Sequence, residues 1–151
     1  MKNHTVRNSL LVLATVVAFG AIIFASFQEK NESYHNLSVG EVRARMESGS
    51  NDFVLVDVRT PQEYTGQLGH LGNAPLYPLQ NLDSQYHQLE QYTKQGKDLI
   101  VYCRSGNRSR RAADFLIKHG FKHIYNMEGG MRAWNNEFSR PESSDTPPPN
   151  S

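Results

Sequence analysis

Cys103 is the one cysteine of the 151-residue chain, and it opens the run Cys103-Arg104-Ser105-Gly106-Asn107-Arg108-Ser109 directly after an apolar segment. A cysteine ending an apolar strand is by default a small buried hydrophobe. The residues that follow argue for chemistry. Arg104, Arg108, Arg110 and Arg111 place four cations within eight residues, with no acid among them. Gly106 and Asn107 tolerate left-handed backbone angles, so the turn can curl its amides inward. A helix starting just after them adds unpaired N–H groups and the positive end of its dipole. Such surroundings stabilise a thiolate and attract an anion. The residues alone therefore point to a reactive thiol beside an anion site.

The elements that must position this loop are legible as alternating strand and helix signals. Asp98 to Tyr102 (DLIVY) and Phe53 to Val58 (FVLVDV) are short, nearly continuous apolar runs, as buried parallel strands require. His123 to Met127 is a third strand. Ser38 with Glu41 three residues on fits a capping box opening a helix to about Met46. Pro61 starts a short helical turn, and Leu71 to Leu79, holding Pro75 and Pro78, is irregular to extended. Leu82, Tyr86, Leu89 and Tyr92 recur at helical spacing. Ser109 to His119 is helical with Gly120 suited to its C-terminal cap, and Gly129-Gly130 breaks the chain before a last helix through Trp134. The alternation predicts an α/β domain with a mainly parallel central sheet and helices on both faces. Cys103 then lies at the carboxyl end of a parallel strand, where ligands bind in open α/β sheets.

Composition narrows the function classes. Lys and Arg total 16 against 15 Asp and Glu, a net charge of +1, which argues against nucleic acid as a partner. One cysteine permits no intramolecular disulfide and no multi-thiolate metal cage. His119 and His123 are four apart, but Gly120 between them ends the helix, so no metal site and no cofactor are expected. Asp57 and Arg59 at a strand end read as structural support, charges that pair and fix nearby loops. Glu63 reads as a helix-start or ion-pair residue, His70 as a hydrogen-bonded structural residue, and Trp134 as packing for the last helix.

The ends differ from the middle. Lys2 and Arg7 precede an 18-residue apolar run from Leu10 to Phe27, followed by Glu29 and Glu32. That length suits a signal peptide or an N-terminal membrane anchor over residues 1–27, with membrane association through residues 10–27. The positive-inside bias then places the rest outside the cytoplasm, in a periplasm or on the outer face of an inner membrane. Residues 28–36 read as a linker, 37–138 as the folded unit, and 139–151, with Pro141, Pro147, Pro148 and Pro149, as a disordered tail.

Four separated blocks resemble a known family: Leu55-Val56-Asp57-Val58-Arg59-Thr60-Pro61-Gln62-Glu63-Tyr64; Leu68-Gly69-His70-Leu71 leading to Pro78-Leu79; Val101-Tyr102 with the Cys103–Ser109 loop; and Gly129-Gly130-Met131 before Ala133-Trp134. In order and spacing they are similar to the single-domain rhodaneses, the sulfurtransferase superfamily. Asn73 and Tyr77 stand where many relatives carry Gly and Ile. The resemblance implies a rhodanese-like domain over residues 37–138. It implies that Cys103 takes a sulfane sulfur from a small anionic donor such as thiosulfate, becomes a persulfide, and yields the sulfur to cyanide or a thiol. Arg104 and Arg108 would offset the repulsion between the two anions. The loop Arg104, Ser105, Gly106, Asn107, Arg108 and Ser109 would bind substrate, its N–H groups ringing the sulfur as oxyanion donors do. A non-catalytic or sulfur-carrier module docking to a partner is the alternative. A phosphatase or arsenate reductase fits less well, because Arg108 gives a C-x4-R spacing where that signature is C-x5-R.

Overall fold

A computed structural model describes residues 33–138. The N-terminal apolar segment, residues 28–32 of the expected linker and the proline-rich tail lie outside the described residues. The strands are His35–Leu37 (β1), Phe53–Asp57 (β2), Asp98–Tyr102 (β3) and Ile124–Met127 (β4), in sheet order β1-β4-β3-β2 with every neighbouring pair parallel. The apolar run around Ile100 is the interior strand β3 and the run around Val56 is the end strand β2, and both are apolar because layers packed on each face leave them no side to give to water.

Side-chain alternation divides the core. Val56, Val58, Leu99, Val101 and Cys103 pack with Ala112, Ala113 and Leu116, whereas Leu55, Ile100 and Tyr102 pack with Val39, Val42 and Met131. The period of two along each strand sends neighbouring residues to opposite faces. Helices α1 (Val39–Glu47) and α6 (Gly130–Phe138) supply one of these layers. Helix α5 (Asn107–Lys118) supplies the other, together with a string of single turns: Leu79–Asn81, α3 (Leu82–Gln85), Tyr86–Leu89 and α4 (Glu90–Thr93). The helical spacing of Leu82, Tyr86, Leu89 and Tyr92 is thus realised in pieces, none with a side-chain N-cap bond. Ser38 caps α1 through a reciprocal bond with Glu41. The short helix α2 (Pro61–Tyr64) starts the same way from Thr60 and Glu63.

One boundary is corrected. His35 and Asn36, expected in the linker, belong to β1, which pairs with β4 in the register His35 with Tyr125 and Leu37 with Met127. Only Leu37 of the three is buried, so the segment carries almost no apolar signal. Asn126 Nδ2 donates to Asn36 Oδ1 at 2.8 Å and helps hold the edge. On the opposite edge, the segment after Leu71 runs beside the end of β2. Asp57 N–H donates to Pro75 O at 3.0 Å and Tyr77 N–H to Asp57 O at 2.8 Å, which covers the carboxyl end of that edge.

Candidate active site

β3 ends at Tyr102 and delivers Cys103 to the carboxyl edge of the sheet, with the side chain on the α5 side and only 1% exposed. Gly106, the N-cap of α5, turns left-handed at φ 91° and so points its N–H back at the sulfur, 3.1 Å from Sγ. Ser109 on the first turn of α5 is buried and sets its hydroxyl 3.5 Å from Sγ and 3.1 Å from Gly106 O. That hydroxyl has one proton, and a charged sulfur competes for it better than a carbonyl. Burial pushes the Cys103 thiol up. Hydrogen bonds from the Ser109 hydroxyl and from the amides of Ser109, Ser105 and Gly106 outweigh burial and hold it below the usual thiol range. The pocket around the sulfur is therefore a ring of donors set in an apolar floor.

A second element turns the loop carbonyls away. Gly129 and Gly130 have φ of 70° and 56° and start α6 hard against the loop. Met131 N–H donates to Cys103 O at 2.9 Å and Arg132 N–H to Arg104 O at 3.0 Å. The N-terminus of α6 thus absorbs carbonyls that would otherwise face the sulfur. Only glycine permits this approach, since a Cβ on Gly130 would lie 2.3 Å from Cys103 O.

The loop cations are not equivalent. Arg104 is exposed and, among the described residues, forms no ion pair. Arg108 is held by Glu63 in a two-pronged bridge, Nη1 to Oε2 and Nη2 to Oε1, each 2.6 Å. The bond to Arg108 holds the Glu63 carboxyl down at about 2 against the opposing effect of burial. Arg110 donates to the side chain of Asn107, and both are exposed. Ser105 is exposed, and its backbone N–H is among the donors to Cys103. Glu63 is both the helix-start and the ion-pair residue its sequence position suggests, and its partner is Arg108, the loop cation expected to offset the charge of the donor, 45 residues away.

Asp57, the last residue of β2, and Arg59, two residues beyond it, are both fully buried. Arg59 Nε and Nη2 grip the Asp57 carboxylate at 2.6–3.0 Å, and Nη2 also donates to Gly69 O. Arg59 Nη1 is buried without a hydrogen-bond partner among the described residues. Burial opposes the Arg59 charge, and the Asp57 carboxylate more than offsets it. The neighbouring Tyr102 hydroxyl accepts from Leu71 N–H at 3.1 Å, so the strand residue before Cys103 is tied to the same loop. Asp57→Asn leaves a buried cation without its counter-charge. It is expected to lower stability by about 3 kcal/mol, read from the urea unfolding midpoint. His70 stacks on Tyr64, with Nδ1 3.2 Å from Tyr64 O, and Trp134 meets Phe138 edge-on.

Glu63 and Gly130 complete the site beyond the residues expected to bind substrate. Their signals were the Thr60-Pro61-Gln62-Glu63 helix start and the Gly129-Gly130 pair, but neither reveals its partner in the loop.

Comparison with known proteins agrees with this geometry. YqhL of Bacillus subtilis (strain 168), an uncharacterized protein, is 34% identical over 127 residues, covering 84% of this chain and 93% of its own. The tRNA uridine(34) hydroxylase of Hamiltonella defensa is 34% identical over 82 residues, which is 53% of this chain and 22% of that longer protein. A rhodanese-related protein from Thermoplasma volcanium superposes with a TM-score of 0.59 at 28% identity, covering 70% of this chain and 94% of that one. A Rhodopseudomonas palustris protein of unknown function, described as a possible tyrosine phosphatase, gives 0.62 at 27% identity over 72% of this chain and 83% of its own. The sequence profile of the rhodanese-like domain matches residues 38–137, nearly the whole of the described fold. A parallel sheet with its cysteine loop at the carboxyl edge, matched by that profile along its length, means that this chain belongs to the rhodanese-like domain family.

Proposed function

We propose that the chain is a sulfurtransferase that carries a sulfane sulfur as a persulfide on Cys103. The observation that carries this reading is the set of donors on Sγ, the Gly106 N–H at 3.1 Å and the Ser109 hydroxyl at 3.5 Å, in a pocket that depresses the thiol pKa. With thiosulfate, the thiolate attacks the outer sulfur, the S–S bond breaks, and sulfite leaves with the bonding pair. The new terminal sulfur carries the negative charge, and the inward amides stabilise it as they would an oxyanion. A nucleophilic acceptor, cyanide or a thiol, then attacks that sulfur, and Cys103 departs as a thiolate. Arg104 at the mouth draws the anionic donor in.

The extracytoplasmic placement belongs to the same reading, and its support is the sequence of Lys2 and Arg7 before the Leu10 to Phe27 run. A lone thiol suits that setting because it has no partner within the chain for a disulfide.

Mass spectrometry of the purified chain tests the proposal. Exposure to thiosulfate or to an alkyl persulfide adds about 32 Da, one sulfur atom, at Cys103, and cyanide removes it. The rate of loading rises with pH and levels off below the range of an ordinary thiol. No adduct from either donor, with no turnover, means that the domain is a non-catalytic module. Faster turnover of an aryl phosphate than of sulfane donors assigns it to the phosphatases.

A further inference from the structure

The Cys103 loop looks strongly cationic in sequence, yet its half-buried cation is already occupied. Arg108 sits on the first turn of α5, and its guanidinium meets the Glu63 carboxylate along both N–H edges at 2.6 Å. The pair is three-quarters withdrawn from solvent, with side-chain exposures of 25% and 28%, so water screens it weakly. The fork-to-fork geometry is the strongest form an arginine–carboxylate contact takes. Glu63 is itself fixed, because its Oε2 also accepts from Thr60 N–H and its own N–H donates to Thr60 Oγ1. A dianionic donor entering the loop meets an arginine whose charge is already matched by a carboxylate. Of the two arginines within the loop, Arg104 is the one without a carboxylate partner among the described residues.

We infer that Glu63 sets donor specificity, occupying Arg108 so that the loop takes a low-charge sulfane donor, an alkyl persulfide, in preference to the thiosulfate dianion. This rests on the sulfur-transfer reading above and names its substrate class. The step balances. The Cys103 thiolate attacks the outer sulfur of R–S–S–H and the S–S bond breaks. R–S⁻ leaves with the bonding pair, and the proton travels on the transferred sulfur before passing to water. The reacting form R–S–S–H is neutral, and even its ionised form R–S–S⁻ brings one negative charge to the loop where thiosulfate brings two. With a carboxyl held at about 2, the Glu63–Arg108 pair stays fully charged throughout the pH range in which the thiolate reacts.

The test compares kcat/KM for thiosulfate with that for a small alkyl persulfide. Glu63→Gln removes the charge and keeps the helix start, because glutamine at the same position completes a capping box equally well. The wild-type chain is expected to favour the alkyl persulfide by about tenfold or more. Glu63→Gln moves the ratio about tenfold toward thiosulfate, mainly through a lower thiosulfate KM. Adding Arg108→Gln to Glu63→Gln abolishes that gain. A wild-type preference for thiosulfate overturns the inference, as does an unchanged ratio in Glu63→Gln or a gain that survives in the double variant. Circular dichroism confirms that each variant is folded. Failure of the wild-type chain to load sulfur from either donor defeats the sulfur-transfer reading itself, whereas loading with the wrong ratios defeats only the role of Glu63.

Discussion

Cys103→Ser is expected to abolish sulfur transfer completely while leaving the fold unchanged. The substitution replaces sulfur by oxygen in a position that is 1% exposed and already lined by donors, so packing and hydrogen bonding persist. A serine hydroxyl here has no base to take its proton. The groups on Sγ are donors, which stabilise an anion once formed but remove nothing. An oxygen also cannot form the sulfur–sulfur bond on which a persulfide depends. The reading is the thiosulfate–cyanide rate together with the mass of the chain after donor exposure. Residual turnover in Cys103→Ser would show that the nucleophile lies elsewhere, since the chain has no other cysteine.

Gly130→Ala is expected to be the most damaging single methyl in the domain. Its Cβ would lie 2.3 Å from Cys103 O, 2.8 Å from Arg104 C and 2.9 Å from Ser105 N, all of them backbone atoms that cannot rotate aside. The residue also sits at φ 56°, which costs an L-amino acid about 1–2 kcal/mol before any contact is counted. Relief requires α6 to back away from the loop, and that movement breaks the bonds from Met131 N–H to Cys103 O and from Arg132 N–H to Arg104 O. The loop amides then lose their orientation, and the loss is of transition-state donors as well as of stability. We expect a stability loss of about 4 kcal/mol or more, and about 100-fold in rate for whatever protein remains folded. Urea unfolding separates the two effects. A Gly130→Ala chain with normal rate and normal midpoint would show that α6 does not support the loop.

Much of this arrangement could be read from the chain, for identifiable reasons. β2 and β3 are covered on both faces, and their unbroken apolar residues announce it. The helix start at Ser38 is written within four residues, because a cap is a local bond. β1 was missed for the opposite reason. It has three residues, a single buried side chain, and a partner strand 90 residues away. The turn after Cys103 announced its inward amides through Gly106, whose left-handed angle is a local property. What surrounds the turn was not local. The arginine at 108 looks unpaired until the fold brings Glu63 to it, and Gly129-Gly130 looks like a chain break until α6 docks. Charge and backbone shape are sequence properties, while neutralisation and contact belong to the assembled sheet.

The depth of the sulfur in its floor has a consequence for whatever delivers or collects the cargo. A disulfide or a sulfur hand-over requires two sulfur nuclei about 2 Å apart. With 1% of Cys103 accessible, the broad face of another folded macromolecule cannot bring a thiol that close. A sulfur set this deep favours small molecules and slender, extended tail ends over blunt protein faces as givers and takers of sulfur.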